Sequence, residues 1–119
     1  MPFKREELRH ITATAAAGAA ALMTGSTVAS ANMRRYIYRI KTVNEFDGAN
    51  MLSLNRGSAT VVGALIDKIA HALQYDMWPD PDELKEDSAP LYILEAAEGL
   101  WLSTSAGDCQ VTIWYVDAE

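Results

Sequence analysis

A chain of 119 residues supports one hydrophobic core of useful size and leaves no room for a second. Half the residues are apolar. Alanine inflates that figure with 19 positions, but 24 Ile, Leu and Val with ten aromatics suffice for a compact fold and exclude wholesale disorder. One cysteine excludes an intrachain disulfide and a multi-cysteine zinc site, two histidines exclude a His-rich metal centre, and no run of 18 strongly apolar residues is present to form a spanning helix.

The net charge of −6 is unevenly spread. Residues 1–41 carry seven Lys or Arg against Glu6 and Glu7, a balance of +5, whereas residues 42–119 carry three cations and fourteen carboxylates, a balance of −11. Such a chain can attract copies of itself, basic part to acidic part.

Residues 1–9 read as an N-terminal arm and 10–119 as a single domain. Lys4 and Arg5, the apolar run Ile11–Met23 and the Ala29-Ser30-Ala31 tripeptide have the outline of a secretory leader. Thr12, Thr14 and Gly18 interrupt that run, so it reads as part of the fold. Ile11-Thr12-Ala13-Thr14-Ala15 alternates at period 2, the signature of a half-buried strand, and this pattern with Gly18 favours strand over an alanine-rich helix at 15–22.

The longest strand expected is 33–43, rich in β-branched and aromatic residues. Strict alternation places Arg34, Tyr36, Tyr38 and Ile40 on one face and Arg35, Ile37, Arg39 and Lys41 on the other. Asp47-Gly48 marks a turn, Met51–Leu54 a short strand, Asn55-Arg56-Gly57 another turn, and Ser58–Ile66 a further strand. From Leu65 the apolar residues recur near i+4 (Leu65, Ile69, Leu73, Met77), which predicts one short helix over about 65–76, ended by Trp78-Pro79. Residues 76–87 hold six carboxylates and one lysine, and 67–89 reads as an acidic loop insertion. Three closing strands follow: Leu91–Glu95, Leu100–Thr104 and Cys109–Val116. In the last, Cys109, Val111, Ile113 and Tyr115 face inward. Strands at this spacing, joined by Gly and Asp turns, predict an all-β sandwich or barrel.

Chemistry-bearing constellations are sparse. Cys109 has no recognisable base partner and reads as a buried thiol. Asp80, Asp82, Glu83 and Glu86 lack the spacing of a calcium loop, and no Gly-rich phosphate loop occurs. Trp78, Trp101 and Trp114 read as core or interface residues, with a sugar-binding role as the alternative. Arg34, Arg35, Tyr36, Tyr38, Arg39 and Lys41 combine cations with aromatics on one strand, as single-strand nucleic-acid binders do, but the acidic total and the lack of a wider basic patch disfavour that ligand.

The order of elements carries a resemblance. Ile11–Ala15 leads to Arg34-Arg35-Tyr36-Ile37-Tyr38. Gly48-Ala49-Asn50-Met51-Leu52-Ser53-Leu54-Asn55-Arg56-Gly57-Ser58 follows, and Leu94–Ser105 and Val111–Val116 close the chain. This pattern, over about 10–66 and 90–117, resembles small tailed-phage virion proteins of the jelly-roll-like β-sandwich kind, including head decoration (cement) proteins. The segment 67–89 departs from it. The resemblance implies a jelly-roll-like sandwich of about eight strands. It further implies a homo-oligomer, a trimer by preference, that binds the major capsid protein or another virion protein and resides in the virion. It brings no catalytic residue, cofactor, metal or small-molecule substrate, and no membrane partner. Arg34, Arg35, Tyr36, Tyr38, Arg39 and Lys41 are then the expected subunit or capsid contacts. The alternative expectation is a non-viral binding module that grips a carbohydrate or single-stranded nucleic acid through the same strand.

Overall fold

The computed structural model describes residues 7–71, 75–78 and 89–119. Nine strands are present among them: β1 (Arg9–Ala15), β2 (Ala21–Leu22), β3 (Arg34–Asn44), β4 (Asn50–Gly57), β5 (Val62–His71), β6 (Tyr75–Trp78), β7 (Tyr92–Leu94), β8 (Gly99–Thr104) and β9 (Cys109–Ala118). They form two antiparallel sheets. The first has the order β1-β9-β3-β6, with β7 also on β3, and the second the order β2-β8-β4-β5.

The pairing is that of a rolled-up hairpin. Strand β1 pairs with β9, β2 with β8, β3 with β6 and β7, and β4 with β5. Each early strand meets a late one in reverse order, and successive early strands alternate between the sheets. This is jelly-roll topology, as the resemblance implies, built on the sandwich that the strand pattern predicts. The alanine-rich stretch between Ala15 and Ala21 contains no helix.

Alternation sets the core. On β9, Cys109, Val111, Ile113 and Tyr115 are buried and Gln110 is exposed, as expected from the sequence. They meet Ile37 and Ile40 of β3, Leu52 and Leu54 of β4, and Leu100 and Leu102 of β8. Each such side chain contributes roughly 1.5–3 kcal/mol on burial. Two buried asparagines fasten one end of the sandwich. Asn44 Oδ1 accepts from the Phe46 amide and from Asn50 Nδ2, while Asn50 Oδ1 accepts from the Ala106 amide and its Nδ2 donates to the Gly107 carbonyl. The β3–β4 and β8–β9 connections are thereby tied together, and no buried amide group of the pair is left unmatched.

Two expectations are corrected. The helix over about 65–76 is absent: Val62–His71 is β5 and Tyr75–Trp78 is β6. The cause is a register shift against β4, where Leu54 pairs with Asp67 but Asn55 pairs with Leu65. The extra residue, Ile66, lets both Ile66 and Ile69 pack on the core, and this three-residue spacing imitates helical periodicity. Strand β3 contains a second shift. Ile37 pairs with Tyr115 and Arg39 with Trp114, so the bulge lies at Tyr38. Beyond it the faces exchange, and Ile40 joins Ile37 in the core instead of sharing a face with Arg34 and Tyr36. Strands thus occupy parts of the segment 67–89. The carboxylates Asp80, Asp82, Glu83, Glu86 and Asp87 lie outside the described residues, as do positions 1–6 of the arm.

Candidate interaction surfaces

The expected contact strand divides into three environments. Arg35 points inward at the end of the sandwich and is 6% exposed. Its Nε and Nη2 donate to the two carboxylate oxygens of Asp117 at 2.7 and 2.8 Å, Nη1 donates to the Gly25 carbonyl at 2.7 Å, and the guanidinium lies 3.9 Å from the Tyr115 ring centroid. A fork matched on both tines and stacked on an aromatic ring is a structural anchor. Tyr36 and Tyr38 are buried in a small apolar cluster with Val116, against Leu8, Ile93 and Ala118. Burial raises the Tyr38 phenol above its ordinary pKa, and the neighbouring Tyr36 adds to the shift.

Arg34, Arg39 and Lys41 reach the outer surface of the first sheet. Arg34 is exposed and bridges to Glu95 at 2.8 Å. Arg39 lies 4.6 Å from the Trp114 ring centroid, and the His10 ring is 6.1 Å from that of Trp114 on the other side. The registers explain this row: His10 is opposite Trp114, and Trp114 is opposite Arg39. One step along, Thr12, Thr112 and Lys41 form a second row, with the two threonine hydroxyls 2.7 Å apart. The bulge at Tyr38 creates this arrangement, since unbroken alternation would put Arg39 and Lys41 on the face opposite Tyr36.

A different surface lies on the second sheet, at the turn between β4 and β5. Residues 57–66 contain no charge. Val61, Val62 and Leu65 are 64%, 43% and 52% exposed. The turn beneath them is rigidly built. Ser58 N donates to the Val61 carbonyl, and Ser58 Oγ accepts from the Thr60 and Val61 amides. Trp101 Nε1 donates to the Ser58 carbonyl at 3.0 Å. Gly57 and Gly63 permit the close crossing: a Cβ on Gly57 would strike the Val61 carbonyl, and one on Gly63 would lie 2.7 Å from the Arg56 carbonyl. Sequence reasoning placed Leu65 on a helix and Ser58–Val61 in a strand, and so missed this tip. The uncharged run with its two glycines was the available signal.

The same end of the sandwich holds a cleft of about 660 Å³ on the first-sheet side. The β2–β3 connection supplies Val28, Ala29 and Met33 to its wall, and β9 supplies Val116. Glu7, Arg9, Arg35 and Asp117 border it, two carboxylates and two cations, so the formal charge around it cancels.

Cys109 is fully buried and its thiol is pushed up to about 11, chiefly by burial. Tyr92 donates its hydroxyl to Asp67 Oδ2 at 2.9 Å, and burial with this bond raises its phenol far above the ordinary range. Among the described residues no group of three His, Cys, Asp or Glu is placed to hold a metal ion, and no helix is long and apolar enough to cross a membrane. Compared with protein-family models, curated proteins and solved structures, the chain matches none.

Proposed function

We propose that this chain is a structural subunit of a virus particle, a homo-oligomeric decoration protein, preferentially trimeric, that works by docking on a coat lattice. The observation that carries the reading is the rigid, uncharged tip with Val61, Val62 and Leu65 exposed. Large apolar side chains held outward on a pre-organised turn, instead of scattered singly, mark a protein–protein contact. The jelly-roll topology supports the reading, because it agrees with the sequence resemblance and is shared with capsid domains, although lectins and cupins share it too. Weak contacts suffice on a lattice, since repeated sites raise the effective concentration. Sedimentation velocity over a wide concentration range should show a symmetric oligomer. Purified particles of its own virus should carry the protein at a fixed ratio to coat protein. A monomer at every concentration, or absence from purified particles, overturns the reading.

A second reading rests on the His10–Trp114–Arg39 row beside Lys41: a binding module for a carbohydrate or single-stranded nucleic acid on the first sheet. It requires ligand-dependent stabilisation of a monomer. Titration with oligonucleotides and oligosaccharides, followed by tryptophan fluorescence and melting temperature, separates the two. No shift with any of them leaves the docking reading in place.

A further inference from the structure

We infer that β1 pairs antiparallel with β1 of a second copy, about a two-fold axis at Thr12, so that the first sheets of the two copies become one. This goes beyond the docking reading, since it uses neither the apolar tip nor a coat protein. A strand at a sheet edge leaves half of its backbone N–H and C=O groups open to another chain, and proteins guard such edges with shortness, bulges, charge or proline. Three edges here are guarded. Strand β2 has two residues, β6 has four and runs into Pro79, and β5 has two register shifts and carries Asp67 and Lys68. Strand β1 is not guarded. It ends the first sheet, and its seven residues pair with β9 without a register shift. Outside the strand ladders, no backbone hydrogen bond among the described residues uses a group of residues 9–15. Residues 10–33 contain no Asp, Glu, Lys, Arg or Pro, so Arg9 is the one formal charge on the strand.

The pattern of the strand is its own complement. His10, Thr12 and Thr14 lie opposite Trp114, Thr112 and Gln110 on the outer face, and Ile11, Ala13 and Ala15 lie opposite Ile113, Val111 and Cys109 on the core face. Thr12 is the middle residue of the seven. An axis there pairs the whole strand and keeps core face beside core face, which an axis between two residues would not. On the core face Ile11 meets Ala13 of the second copy, large against small, and the apolar surface that both leave half-buried is covered. On the outer face Thr12 meets Thr12, extending the Thr12–Thr112 hydroxyl pair at 2.7 Å across the junction. Each Arg9 falls opposite Ala15, so the two arginines stand roughly 20 Å apart along the strands, beyond the screening length of about 8 Å at physiological salt. An isologous contact closes at two copies, so it gives a dimer or joins two of the proposed trimers.

The test uses the full chain. Thr12→Lys places like charges directly opposite each other across the axis, yet alters only an exposed side chain within one copy. It should keep the circular dichroism spectrum of the parent and melt within a few degrees of it, while self-association in sedimentation weakens by about tenfold or more. Thr12→Ser should associate like the parent. Register is read with a short bifunctional thiol reagent, Cys109 being buried and left in place. His10→Cys mixed with Thr14→Cys should give covalent dimers on denaturing gels. Thr14→Cys alone should give few, because its two sites lie roughly 14 Å apart along the strands. An oligomer that Thr12→Lys leaves unchanged, a mixture without the cross-link, or equal cross-linking of Thr14→Cys alone overturns this contact and leaves the docking reading in place. A parent chain that is monomeric at every concentration overturns both.

Discussion

At the level of single residues, two buried groups tie stability to chemistry. Asp117 is the counter-ion of Arg35, whose guanidinium is shielded from water by Tyr115. Asp117→Asn removes the charge and one of the two acceptors, leaving the cation poorly compensated. Because Asp117 is itself one-third exposed, the expected cost is about 2–4 kcal/mol in urea melts, at or below the range for breaking a buried pair. A loss under about 0.5 kcal/mol would show that water replaces the carboxylate. Cys109 gives a pH dependence. Its thiol ionises near 9 in its ordinary state and near 11 in the fold, because burial disfavours the thiolate, with a Val43 backbone hydrogen bond working the other way. A folded value above the unfolded one means that stability is complete below the ordinary value and drains as pH rises through the folded one. The loss between pH 9 and 11 should reach roughly 2–3 kcal/mol. Cys109→Ala should flatten that alkaline limb. An equally steep limb in the variant would place the ionising group elsewhere, with Tyr92 next in line at higher pH.

At the level of elements, strands with plain alternation were legible and strands with bulges were not. Strand β9 reads correctly because Cys109, Val111, Ile113 and Tyr115 alternate without interruption. Strands β7 and β8 lie within a residue or two of their expected limits, because Gly99 and the Pro90 region punctuate them. Strand β3 was found, but its faces exchange at Tyr38, and no local sequence rule announces a bulge that only pairing with β9 makes visible. Strand β5 carries helix-like spacing for the same reason, since the bulge at Ile66 brings Ile66 and Ile69 onto one side. The candidate surfaces were partly legible. The sequence marks the cation-rich strand, yet Arg35, Tyr36 and Tyr38 are buried, and the apolar tip has no strong local signature because it depends on a turn held by Trp101 from another strand. The two readings of β5 make opposite demands. A helix would put Leu65 and Ile69 on one buried stripe, whereas the strand leaves Leu65 exposed and packs Ile69 on the core. Leu65→Ser should change the melting free energy by no more than about 0.5 kcal/mol, and Ile69→Ser should cost about 2–4 kcal/mol. Equal losses at both positions would contradict the strand.

At the level of the whole molecule, rolling the chain folds its charge polarity onto itself. The first half pairs with the second, so cations of residues 1–41 meet carboxylates of residues 42–119 within one copy, as in Arg34–Glu95 and Arg35–Asp117. The same topology bounds the acidic stretch. Trp78 is opposite Ile40 and Tyr92 is opposite Ile37, while the Leu91 amide donates to the Ile37 carbonyl at 2.7 Å. The two attachment points are three β3 residues apart, roughly 10 Å at strand rise, so a few residues can bridge them. Residues 79–88 hold five carboxylates and one lysine, and Leu84 is their one large apolar side chain, so their excision costs the core little. Replacing 79–88 with Gly-Ser-Gly-Ser should leave β6 and β7 on β3 and a single cooperative melt within a few degrees of the parent. Shorter loops also carry slightly less closure entropy, by about 0.6 kcal/mol per halving, which favours the shortened chain. Loss of the cooperative transition, or a fall of more than about 10 °C for a domain of this size, would mean that the removed segment supplies packing that the sandwich cannot do without.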